Sequence, residues 1–63
     1  MKFMNRRIVL EKGVHVFGTI DKFAEWMNTF SKIFNCKPIK LWEENRLQEI
    51  YDELGKIEYG TIA

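Results

Sequence analysis

One cysteine, one histidine and one proline occur in the 63 residues, and each scarcity removes a class of chemistry or structure. A lone Cys36 forms no internal disulfide, and a single His15 beside a single cysteine cannot supply the ligand spacing of a zinc site. Cys36 also lacks a neighbouring histidine or cationic helix start that would activate its thiol. His15 has no aspartate, cysteine or second histidine at a catalytic spacing. No apolar run approaches the ~18 residues of a membrane span. The basic N-terminal residues are not followed by the apolar stretch of a signal peptide, so the expected compartment is the cytoplasm. No phosphate-binding glycine loop, nucleophile motif or carboxylate pair is present. Enzymatic activity is therefore the least supported class, and neither a cofactor nor a metal is expected.

What the chain does have is apolar surface: 46% of its residues are hydrophobic, including two Trp, two Tyr and five Phe. A domain this short buries only ~60% of the surface its unfolded chain exposes, and such a core rarely supplies more than about 3–5 kcal/mol. Part of the apolar surface is expected to serve an interface with another protein or with a second copy of the chain. Net charge is +1 but unevenly spread. Residues 1–40 hold eight Lys/Arg against three Asp/Glu, whereas residues 41–63 hold two against six. The acidic end suits a basic partner surface.

Four helices fit the length, giving an all-α domain with a projecting C-terminal tail. Met1 to Arg7 is either a basic arm or the first turn of a helix. Phe3, Leu10, Val14 and Phe17 then fall on one helical stripe, although the Ile8-Val9-Leu10 run also suits a strand and Gly13 weakens a helix by ~1 kcal/mol relative to Ala. Thr19 is placed to cap a second helix. On that helix Phe23, Trp26, Met27 and Phe30 recur at i, i+3, i+4 and i+7, and the face around Trp26 and Phe30 is expected to pack on the last helix. Both tryptophans read as core. Thr29 to Lys37 reads as a connection, and Pro38 suits the first position of a short third helix that buries Ile39, Leu41 and Trp42. Lys37 is a poor cap for it. A fourth helix restarts at Glu44-Asn45 with Leu47, Ile50, Tyr51, Leu54 and Ile57 on its buried face, an Asp52–Lys56 pair on its surface, and Gly60 as a left-handed stop. Thr61-Ile62-Ala63 projects beyond it.

Phe17-Gly18, Asp21-Lys22, Ala24 with Trp26-Met27, Pro38-Ile39 and the closing Leu54-Gly55-Lys56-Ile57-Glu58-Tyr59-Gly60 together resemble the toxin-binding domain of Xre/MbcA/ParS-type antitoxins. Order and spacing hold from about Val14 to Ala63. Two departures stand out. Phe34-Asn35 replaces the usual Gly-Gly pair, where Asn tolerates left-handed geometry and Phe does not, and the link from Pro38 to the last helix is about one residue shorter than usual. Larger relatives carry an N-terminal helix-turn-helix domain for which this chain has no room. It is then a stand-alone module, as Met1 suggests, or a piece of a longer protein.

The resemblance implies an antitoxin whose partner is a RES-type toxin, an enzyme that consumes NAD or, in some relatives, modifies a protein. It further implies that the C-terminal segment covers the toxin's active site, with Lys56, Glu58, Tyr59, Gly60, Thr61, Ile62 and Ala63 as the toxin-binding residues. A pocket that binds the pyrophosphate of NAD needs cations, which suits Glu58 and the Ala63 carboxylate. Two other classes remain open. Lys2, Arg6 and Arg7 could serve a small DNA-associated regulator by neutralising phosphates, although nucleic acid is the less favoured partner on so few charges. The apolar content also suits a self-associating structural module.

Overall fold

The computed structural model describes residues 4–60. Four helices follow in order: α1 (Arg6–Phe17), α2 (Ile20–Met27), α3 (Pro38–Glu43) and α4 (Leu47–Glu58). The all-α expectation holds, and among the described residues the only β feature is an isolated bridge between Ser31 and Cys36. α1 lies at the centre of the packing, against α4 on one side and α2 on the other, while α3 bridges α4 and α2.

Local chemistry sets most of the boundaries. Asn5 caps α1, its side chain accepting from the Ile8 amide at 2.9 Å, so Arg6 and Arg7 form the first helical turn. Gly18 ends α1 at φ +90°, a conformation that costs glycine little. Thr19 then caps α2 through the Lys22 amide. Asn28 and Thr29 finish α2 by donating side-chain hydrogen bonds to the carbonyls of Ala24 and Glu25, both at 2.8 Å. Pro38 takes the first position of α3, and Lys37 makes no side-chain cap. In the connection between α2 and α3 it is Asn35, at φ +58°, that adopts the left-handed geometry; Phe34 does not.

Val9, Phe23, Met27, Leu41, Leu47, Ile50 and Leu54 form the core. An aromatic cluster continues it: Phe17, Phe23 and Trp26 have ring centroids 5.7 to 6.2 Å apart, and Phe34 meets Trp26 edge-on at 6.5 Å. Such pairs add to simple burial through complementary ring edges and faces.

Three expectations need correction. The buried centre of α1 is Val9 and Gly13, with Leu10, Val14 and Phe17 only half-buried. Phe30 lies beyond the end of α2 and is 58% exposed, because Asn28 and Thr29 close the helix first. Trp26 packs on Phe17 of α1, and the main helix neighbours of α2 are α1 and α3. The fourth helix begins at Leu47, not at Glu44-Asn45, since Asn45 turns the chain at φ +60°. Arg46 braces this turn, bonding both Glu49 oxygens at 2.7 and 2.8 Å and Glu44 at 3.3 Å. Glu49 is held below the usual carboxylate range chiefly by that hydrogen bond. Asp52 accepts from Gln48 at 2.8 Å.

Candidate functional site

The residues assigned by resemblance cluster at the C-terminal end of α4, but they do not share one environment. Lys56 is exposed in the last turn, and Tyr59 is 79% exposed. Gly60 has φ +63° and donates its amide to the Ile57 carbonyl at 3.2 Å, the left-handed stop expected of it. Thr61, Ile62 and Ala63 lie outside the described residues, as do Phe3 and Lys2 at the other end.

Glu58 is different, since it faces inward to α1. Lys12 donates a hydrogen bond to its Oε1, and His15 Nε2 lies 2.9 Å from its Oε2. About a fifth of each side chain of the Lys12–Glu58 pair is exposed, whereas His15 is largely in solvent. The Lys12 ammonium also stands 5.5 Å from the centre of the Tyr51 ring and 5.9 Å from that of Tyr59, within range of attraction to both π faces. One cation on α1 thereby gathers Tyr51 and Glu58 of α4 and Tyr59 at its C-terminal cap. Composition assigns Glu58 a free charge, yet its charge is spent inside the domain.

The electrostatic consequence has a definite sign. The Lys12 hydrogen bond, followed by its charge and that of His15, holds the Glu58 carboxyl below its ordinary value, and the Glu58 hydrogen bond raises Lys12 above its own. The pair's contribution to stability is fully present above the ordinary carboxyl value of 4.5 and is lost as the pH falls through the lowered Glu58 value. On the alkaline side it is fully present below 10.5 and is lost as the pH rises through the raised Lys12 value. Thermal melts of the wild type and Glu58→Gln should therefore differ at neutral pH and converge in acid. A difference that persists unchanged at pH 3 would mean the ion pair is not its source.

The basic N-terminal residues are also engaged. Arg6 donates to the Trp42 carbonyl at 2.8 Å and places its guanidinium 5.6 Å from the ring centre, while Arg7 pairs with Glu11 at 3.4 Å on the surface. Arg6 thus ties α1 to the end of α3. An open apolar groove between α1, α2 and α3, floored by Leu10, Phe23 and Met27 and edged by Ile20 and Trp42, includes no residue of α4. Among the described residues no group of three or more His, Cys, Asp and Glu is placed to hold a metal. No described helix is long and apolar enough to cross a membrane.

Sequence reasoning missed Lys12 and His15 as neighbours of Glu58. The signal was faint: both lie on α1 one turn apart, but nothing local tells a helical lysine which carboxylate 46 residues away it meets. No protein-family model matches the chain, and neither the curated proteins nor the solved structures contain a match.

Proposed function

We propose that the chain is an antitoxin-like protein that binds a RES-type toxin and covers its active site with the segment that leaves the end of α4. The closing Leu54-to-Gly60 pattern motivates this reading, and one structural observation carries it furthest. Tyr59, a large amphipathic side chain of the kind enriched in interface hot spots, stands 79% exposed beside the glycine that turns the chain off the helix. With Glu58 bound to α1, the contact set narrows to Lys56, Tyr59, Gly60 and residues 61–63.

Deletion of residues 61–63 is the cleanest test because it leaves the Lys12–Glu58 pair in place, whereas cutting before Glu58 removes it. The chain is tagged at its N terminus so that Ala63 stays free, and a RES-type toxin recovered with it is assayed for NAD consumption. The deletion should abolish inhibition without moving the melting temperature, and Tyr59→Ala should weaken it. Full inhibition by the shortened chain would remove the tail from the mechanism.

Ile20, Phe30 and Ile33, exposed by 55%, 58% and 67%, favour a second reading, a self-associating module. Sedimentation equilibrium of the wild type beside Phe30→Ser/Ile33→Ser distinguishes it: a dimer that dissociates in the variant supports that reading, and a monomer in both rejects it.

A further inference from the structure

Between Glu25 and Glu43 the chain carries no acidic residue and three lysines, Lys32, Lys37 and Lys40. All three are exposed, and among the described residues none of them pairs with an acid. Phe30 and Ile33, each more than half exposed, lie in the same stretch. Uncompensated positive charge and exposed apolar side chains therefore coincide on the connection from α2 to α3.

The backbone gathers these five residues. The Ser31 amide donates to the Cys36 carbonyl at 3.0 Å, an antiparallel bridge that closes residues 31–36 into a turn. Inside it, the Phe34 amide donates to the Ser31 hydroxyl at 3.4 Å and the Phe34 ring meets Trp26 edge-on, which anchors the turn to α2. Lys32 and Ile33 are left at the exposed tip. Phe30 and Lys37 flank the bridge, one on each arm. Lys40 follows one turn on, its amide donating to the Lys37 carbonyl at 2.9 Å, so the two lysines stay adjacent.

We propose that this turn docks on an anionic lipid membrane, with Ile33 and Phe30 entering the interfacial layer and Lys32, Lys37 and Lys40 among the headgroup phosphates. Apolar insertion and attraction to anionic lipid act together where either alone holds a protein only marginally. The charges and side-chain types select this occupant. Single-stranded nucleic acid stacks on aromatic faces and is met well by arginine, whereas the tip here is aliphatic and residues 26–42 contain no arginine. Protein interfaces are depleted in lysine. A second copy related by a two-fold axis would set the patch against itself, bringing the lysines of both copies together with no acid between them. The assignment is independent of the antitoxin reading, since it uses no residue of α4 or of the tail.

Cosedimentation of the full chain with vesicles of phosphatidylcholine alone, and of phosphatidylcholine and phosphatidylserine in equal parts, tests it. The wild type should bind the mixed vesicles and not the neutral ones. Raising the salt from about 0.1 M to about 1 M should release it, because the screening length falls from about 10 Å to about 3 Å. Lys32→Gln/Lys37→Gln/Lys40→Gln should weaken binding about a hundredfold, at about fivefold per lysine, and Phe30→Ser/Ile33→Ser by at least about tenfold. All five side chains are exposed, so both variants should melt with the wild type; if either melts lower, the single tip variants Lys32→Gln and Ile33→Ser carry the comparison. No binding to the mixed vesicles, equal binding to both kinds, or binding that neither set of variants weakens would overturn the assignment. In place of vesicle binding, a dimer that these variants dissociate would give the turn to a second copy, and lysine-dependent capture of labelled single-stranded DNA would give it to nucleic acid.

Discussion

Gly13→Ala should destabilise the domain, although alanine is the better helix former by about 1 kcal/mol. Two effects of opposite sign compete at this position. The new Cβ would lie 2.4 to 2.6 Å from three atoms of the Phe23 ring, far inside any real contact, so one of them must move. Phe23 is 3% exposed and stacked with Phe17 at 6.2 Å and Trp26 at 6.1 Å, so its ring cannot retreat without disturbing both. Overpacking in such a setting costs about 1–3 kcal/mol, and the confinement of Phe23 argues for the upper part of that range, enough to outweigh the propensity gain.

Urea and thermal melts measure the net effect. A domain of this size loses about 4–8 °C per kcal/mol, so a clear drop in the midpoint is expected. The cause can be isolated with Phe23→Leu, which removes the ring. If the clash is responsible, Gly13→Ala should cost much less in the Phe23→Leu background than alone, a non-additivity that only residues in contact show. A higher midpoint for the single variant would mean that the ring yields freely and that helix propensity decides.

Gly13 also marks the limit of what periodicity reveals. The stripe through Leu10, Val14 and Phe17 was visible as hydrophobicity, but the buried centre is one position away, at Val9 and Gly13, because a glycine contributes no hydrophobic signal while leaving room for the Phe23 ring of α2. Local devices were readable for the same reason that they are local: the Thr19 cap, Pro38 at the head of α3, Asn35 in a left-handed turn and Gly60 as a helix stop each depend on a few neighbouring residues. Phe30 fitted the α2 stripe in number, yet Asn28 and Thr29 ended the helix before the stripe reached it.

At the end of α4 the sequence pattern marks residues without revealing their surroundings. It placed the candidate site there, where Tyr59 is exposed and Gly60 turns the chain. Glu58, which reads as a free acidic contact, is instead committed to Lys12 and His15, a pairing fixed only once α1 and α4 meet. Glu53 gives a second instance. It is 8% exposed on a face shared with Ile50 and Ile57 at i−3 and i+4, although acidic residues are seldom buried and residue type alone argues against it.

Leu54→Ala tests how the two roles of the closing segment are divided. Leu54 opens the pattern that suggested toxin binding, but its side chain is fully buried in the core, on the helix that packs against both α1 and α3. Truncating a buried leucine costs about 2–5 kcal/mol, the spread depending on how far the cavity collapses, and a core this small supplies only about 3–5 kcal/mol. Most of the variant should therefore be unfolded at 37 °C by circular dichroism. Ile50→Val, a smaller loss at another fully buried position, should cost about 0.5–1.5 kcal/mol and leave the domain folded. Binding separates folding from contact. A partner that binds only the folded chain stabilises it by about 2.7 kcal/mol at a hundredfold excess over Kd, so under the antitoxin function proposed above excess toxin should restore much of the helical signal and most of the inhibition of Leu54→Ala. On the same reading the excess should do nothing for the chain lacking residues 61–63, whose core is intact. If excess toxin fails to rescue Leu54→Ala while that variant remains folded, Leu54 acts at the interface and not through the core.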